Sequence, residues 1–214
     1  LGSRPRVHRA PELHITTGAV TEVYAQSWDV AGATYSRGGK HLVVYVNEDS
    51  GYSGRVLDAV TLAPIPLTGV PPGTVRGISV SRDDSAIAFY SSDGSAPDDL
   101  YAGAIASNPV RLTNALNPTI KREDLVVPTV TRFKSYDGLE IPGLLYKPHQ
   151  ASSANKAPAL VLVHGGPGGQ AQVGYFAMTQ ALVNHGYVVF DINNRGSSAY
   201  GKTFYAMDDK KHGE

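Results

Sequence analysis

The residues best suited to chemistry form one short stretch, Val161-Leu162-Val163-His164-Gly165-Gly166-Pro167-Gly168, an apolar run that ends abruptly in a histidine and glycines. A strand ending in such a turn can aim backbone N–H groups at a substrate carbonyl, and side chains at the turn would block that approach. The corresponding reaction is acyl transfer, in which preorganised donors hold the charge that develops on the carbonyl oxygen. Gly166 is the candidate backbone donor, with His164 and Gly165 completing the loop. A tight strand-to-helix turn with no catalytic role is the competing reading of the same glycines. The nucleophilic serine that partners such a loop sits in a G-x-S-x-G elbow, and the 214 residues contain no match to it. Ser197 and Ser198 lack that elbow and read as loop serines. Arg195, in Asn194-Arg195-Gly196-Ser197, follows a predicted strand end, where open α/β sheets place functional groups. Its guanidinium either fixes loops through several hydrogen bonds or meets substrate, and it is read here as a supporting residue. The segment Asp208-Asp209-Lys210-Lys211-His212 joins a histidine to carboxylates, but its charges come in blocks as on a solvated face, so no metal is expected there.

Elements on both sides must hold this loop. Val161 to His164 is expected to be a buried strand, and a helix follows from about residue 172 to 184. Tyr175, Met178 and Leu182 share one face of that helix, with Phe176, Thr179 and Val183 beside them, and Gly186 terminates it. Tyr187 to Asp191 supplies a second buried strand, parallel to the first if the crossover is right-handed, and this strand is expected to be left unpaired at the sheet edge. Upstream, Thr129 to Tyr136, a turn at Asp137-Gly138, and Glu140 to Lys147 read as an antiparallel hairpin. Residues 114–128 carry Asn117-Pro118, the cluster Lys121-Arg122-Glu123-Asp124 and Pro128, a composition suited to a domain connection.

The first half matches itself at an ungapped offset of 45 residues: Ser36-Arg37 with Ser81-Arg82, Tyr45 with Tyr90, Leu67-Thr68 with Leu112-Thr113. Between these anchors Leu42-Val43-Val44-Tyr45 faces Ile87-Ala88-Phe89-Tyr90, and Val60 faces Ile105. Polar turns separate the apolar runs, so each copy reads as about four short strands, the dimension of a β-propeller blade. Two related hairpins in a β-sandwich are the alternative. A blade cannot bury both of its faces alone, so two blades require neighbours. Leu13-His14-Ile15-Thr16-Thr17-Gly18 reads as the closing edge of an earlier blade, which would start the chain inside a larger propeller.

Nineteen basic residues balance nineteen acidic ones, so no long-range field favours nucleic acid or an anionic membrane surface. The absence of cysteine removes disulfide scaffolds and thiolate metal sites, and the seven histidines are scattered without ligand-like pairing. Apolar runs fall short of the roughly 20 residues of a membrane helix. The N-terminus is no signal peptide with an apolar centre. These features fit a soluble protein and leave cytoplasm, periplasm and secretion open.

From Thr129 onward the combination of His164-Gly165-Gly166-Pro167, Leu182-Val183-Asn184-His185-Gly186-Tyr187 and Asn194-Arg195-Gly196-Ser197-Ser198-Ala199-Tyr200-Gly201 resembles the prolyl oligopeptidase family of serine peptidases, above all its acylaminoacyl-peptidase and bacterial dipeptidyl-aminopeptidase-like members. His164 stands where prolyl oligopeptidases and dipeptidyl peptidases proper carry a tyrosine, a departure that favours the first of these branches. The resemblance implies β-propeller blades followed by the first part of an α/β-hydrolase domain. Residues 1–116 would then be a partial propeller of about two blades plus the edge of a preceding one, 117–128 a linker, and 129–214 the N-terminal portion of the catalytic domain. It further implies that the serine, aspartate and histidine of the triad follow Glu214, that a second oxyanion amide lies beside the nucleophile, and that this chain alone is inactive. Short peptides would be the substrate, and the remainder of the hydrolase domain, as the same or a second chain, the partner. No metal or organic cofactor is implied. An esterase or amidase on the same fold, and a non-catalytic propeller interaction protein, are the alternatives.

Overall fold

The computed structural model describes residues 9–211 apart from 26, 71 and 167. Pro167 of the glycine loop, His212 and Glu214 at the C-terminal end, and the N-terminal residues read for a leader lie outside the described residues. The first described element is an antiparallel pair, β1 (Ala10–Leu13) and β2 (Val20–Tyr24). The segment read as the closing edge of an earlier blade is mostly the turn of this hairpin: His14 N–H donates to Ala19 O, Gly18 N–H donates to His14 O, and Gly18 takes a φ of 69°.

The 45-residue repeat becomes two four-stranded meanders. The first consists of β3 (Asp29–Tyr35), β4 (His41–Glu48), β5 (Gly51–Asp58) and β6 (Pro64–Ile65). The second consists of β7 (Thr74–Val80), β8 (Ala86–Ser92), β9 (Asp99–Ala104) and β10 (Val110–Arg111). The sequence offset carries β3 onto β7 residue for residue, and both have a register irregularity in their first half or middle, Val30/Gly32 against β4 and, beginning one residue later in the repeat, Arg76/Ser79 against β8. The turns repeat too. Ser36 N–H donates to His41 O and Ser36 Oγ accepts from His41 N–H; Ser81 N–H donates to Ala86 O and Ser81 Oγ accepts from Ala86 N–H.

The meanders join through a parallel pairing, Ser53 with Val75, which links their strands into one hydrogen-bonded sheet, and side chains of both also pack together. Leu42, Val44, Val46 and Leu57 pack on one face of the first meander with Val30, Val23 and Tyr24. Val56, on its other face, packs with Ile87, Phe89 and Tyr101 of the second. Alternation of side chains along each strand makes this two-sided burial possible. Gly54 permits the close approach, because a Cβ there would lie 2.7 Å from Ile78 and 2.8 Å from Val75 O. A four-stranded meander is the size of one propeller blade. One apolar match between the anchors is not part of the core: Val60, in the β5–β6 turn, is 90% exposed.

The second half holds β11 (Thr129–Lys134), β12 (Glu140–Tyr146), β13 (Ala159–Val163), α1 (Ala177–Asn184), β14 (Val188–Ile192) and α2 (Lys202–Tyr205). Strand order in its sheet is β11-β12-β14-β13, with β13 and β14 parallel and the other pairs antiparallel. The hairpin and the parallel pair are therefore as expected, but the edge is not. β14 lies inside the sheet, paired on both sides, and β13 is the edge strand, with Val161 61% and Val163 65% exposed. Among the described residues nothing covers that face of β13, which is why an apolar run that reads as buried is half in solvent.

The helix also starts later than its apolar pattern suggests. Val173 N–H donates to Ser50 O at 2.7 Å, and Val173 O accepts from Arg76 at 3.2 Å, so this backbone serves contacts with the first half. Met178 is 76% exposed, whereas Thr179, Gln180 and Val183 form the buried face. Gln180 decides that orientation, because its amide bonds both N–H and C=O of buried Val126.

Candidate active site

His164 leaves the C-terminal end of β13 and opens the glycine loop. Gly166 takes a φ of 123°, a conformation that L side chains avoid, and a Cβ on it would stand 2.9 Å from Gly169 N. Gly165 faces open space. At the far end of the loop a Cβ on Gly169 would come within 2.4 Å of Gly165 O and 2.9 Å of His164 Nδ1, and one on Gly168 within 2.5 Å of the Tyr205 ring. The loop is thus folded back on itself, with glycine required at 166 and 169 for different reasons: conformation at the first, close approach at the second. The role of Gly169 escapes a reading centred on Gly166, although the continuing glycine run was the available signal.

A second loop, after β14, clamps this one. Ser197 is fully buried; its hydroxyl lies 2.8 Å from His164 Nε2 and donates to Asn194 O at 2.6 Å. Ser198 N–H donates to Gly169 O at 3.0 Å. Both ends of the glycine loop are therefore held by consecutive serines 33 and 29 residues away. Motif reading found no base beside Ser197, yet the fold brings His164 to it. Ser197 remains an unpromising nucleophile, because it is inaccessible and its proton is engaged by a carbonyl.

Arg195 points elsewhere. It donates to Ser135 Oγ at 3.2 Å and to Asp137 at 2.6 Å, and its guanidinium lies 5.1 Å from the centre of the Tyr136 ring. It ties its loop to the β11–β12 turn and makes no described contact with the glycine loop. Behind the loop, burial pushes the Asp191 carboxyl above its ordinary value while the nearby His164 ring opposes that shift. Burial also raises the Tyr146 phenol, reinforced by Asp191. Among the described residues no group of histidines and carboxylates could hold a metal ion, and no helix is long and apolar enough to cross a membrane.

The glycine loop follows a strand of a mixed sheet, and in the chain that sheet follows two β-meanders. Over 157 residues the chain is 28% identical to dipeptidyl aminopeptidase BIII of Pseudoxanthomonas mexicana, a match covering 70% of this chain and 23% of that protein. It is 28% identical over 130 residues to the uncharacterized peptidase YuxL of Bacillus subtilis, covering 61% of this chain and 20% of the relative. Among solved structures, the acylaminoacyl peptidase of Pyrococcus horikoshii superposes with a TM-score of 0.65 at 25% identity, over 87% of this chain and 29% of that one. No family model matches the chain. These likenesses support a relationship to the prolyl oligopeptidase family of serine peptidases, and the chain spans well under half the length of each relative.

Proposed function

We propose that this chain contributes the oxyanion-loop side of a serine peptidase active site. Residues 1–116 would be propeller blades, 117–128 their connection to the next domain, and 129–214 the first part of an α/β-hydrolase domain. The observation that carries the reading is the loop at the end of β13: Gly166 is held at a φ of 123° with an open face at Gly165, beside a sheet whose relatives are peptidases. In the complete active site a serine supplied by sequence outside these 214 residues attacks the peptide carbonyl, a histidine carries its proton, and Gly166 N–H holds the tetrahedral oxyanion. Short peptides are the substrate class, by analogy with the dipeptidyl aminopeptidase relative. Residues 1–214 by themselves would have no turnover. The test compares the full-length protein with residues 1–214 on a peptide anilide and a short-chain ester, followed by a fluorophosphonate probe. Turnover of the anilide with labelling confined to a serine outside this chain is expected. Activity on the ester alone would redirect the reading to an esterase, and stoichiometric labelling of Ser197 or Ser198 would overturn it.

A further inference from the structure

The environment of Ser197 determines the direction of its hydrogen bonds. A serine hydroxyl has one proton, and Asn194 O, 2.6 Å away, can only accept, so the proton lies on that bond. The 2.8 Å contact with His164 Nε2 is then satisfied only if the ring donates. The same Asn194 O also accepts from Ser197 N–H at 3.0 Å, so hydroxyl and backbone together close the 194–197 turn and leave the serine no freedom to rotate. The other ring nitrogen, Nδ1, lies 3.1 Å from Gly165 O and against Gly169, where a Cβ would come within 2.9 Å of it; that oxygen can only accept, so this second contact is a hydrogen bond only when Nδ1 carries a proton in addition to the one on Nε2.

We infer that Ser197 is a positioning residue for the glycine loop: it locks His164 with a proton on Nε2 and directs that N–H into the protein, away from any substrate. Two consequences follow for the site, and they rest on the proposed peptidase reading. His164 does not donate to the oxyanion from its side chain, so the donor supplied by this loop is the backbone of Gly166. The Asn194–Ser198 turn becomes part of the catalytic support, because it fixes the loop at His164 through Ser197 and at Gly169 through Ser198 N–H.

A double-mutant cycle in the full-length protein tests the lock. Ser197→Ala is expected to lower kcat on the order of tenfold while KM changes little, and the loss should nearly vanish in a His164→Ala background because both changes remove one coupled interaction. His164→Gln, whose side-chain amide can still donate to Ser197, should recover part of what His164→Ala loses. Unchanged kcat in Ser197→Ala, or fully additive losses, would overturn the inference. If the protein is no peptidase, the lock is still read from the 15N resonances of the His164 ring, assigned by their disappearance in His164→Ala. A protonated Nε2 in wild type that is lost or mixed with the other tautomer in Ser197→Ala supports the assignment, and a wild-type ring protonated only on Nδ1 refutes it.

Discussion

Gly166 and His164 are neighbours in one loop with separable demands. Gly166 needs a backbone that other residues resist, and a valine there would add both φ strain and a contact with Gly169 N. In the full-length protein Gly166→Val should lower kcat on the order of a hundredfold or more, the scale of losing one oxyanion donor. His164→Ala should cost less, since that ring acts through Ser197. Measuring kcat/KM for both variants, after circular dichroism has shown intact folds, decides the matter: near-normal turnover by Gly166→Val would mean that the oxyanion is held elsewhere. The glycine at 166 was legible because φ preference is a local property of the chain. The pairing of His164 with Ser197 was not, because no local pattern links residues on two different loops.

At the scale of elements, the repeat supplies its own controls. Tyr45 and Tyr90 occupy equivalent positions, but Tyr45 hydroxyl accepts from Ile78 N–H of the next meander at 2.6 Å, whereas Tyr90 is 47% exposed. Tyr45→Phe should therefore destabilise the protein by about 1 kcal/mol, the net worth of one hydrogen bond, and Tyr90→Phe by almost nothing. Equal denaturant midpoints for the two variants would show that the inter-meander bond contributes nothing. A turn residue adds a pH test. The hydroxyls of Ser81 and Ser85 hold the Asp83 carboxyl down to about 2, below the unfolded value of roughly 4. A depressed folded-state pKa stabilises above the unfolded value and loses that contribution as pH falls through the folded one. The stability difference between wild type and Asp83→Asn should accordingly be level above about pH 5 and shrink between about pH 4 and 2. A difference that does not vary with pH in urea titrations would remove Asp83 from the account.

At the scale of the whole molecule, the β4–β5 turn is the peg that joins the meanders to the second sheet. Ser50 and Asn193 are both fully buried; the two N–H groups of the Asn193 side chain are shared among Ser50 Oγ at 2.9 Å, the Tyr200 hydroxyl at 3.1 Å and Ala171 O at 3.3 Å, while its own carbonyl accepts from Ala171 N–H at 2.7 Å. Arg132 pairs with Asp49 in the same turn, and Asn47 exchanges bonds with Gln170. Buried polar groups linked this way are costly to break, since each orphaned partner loses its solvation as well as its bond. Asn193→Ala should lower stability by about 1–3 kcal/mol and separate the calorimetric transitions of the two halves. A single unshifted transition would show that the junction does not depend on this network.

What the sequence determined by itself is what short-range physics controls: strands and turns recurring every 45 residues, a hairpin at Asp137-Gly138, and a glycine loop at the end of an apolar strand. Each follows from side-chain period or from the φ that a turn demands, and both are written within a few residues. Only the tertiary structure decided that β13 and not β14 is the edge, that α1 begins at Ala177, and that Met178 faces solvent. The same holds for the contact of Ser50 with Tyr200, 150 residues apart. Burial, edge position and hydrogen-bond partnership belong to pairs of distant segments, and a periodic apolar pattern fixes only which face of an element seeks cover, not what comes to cover it.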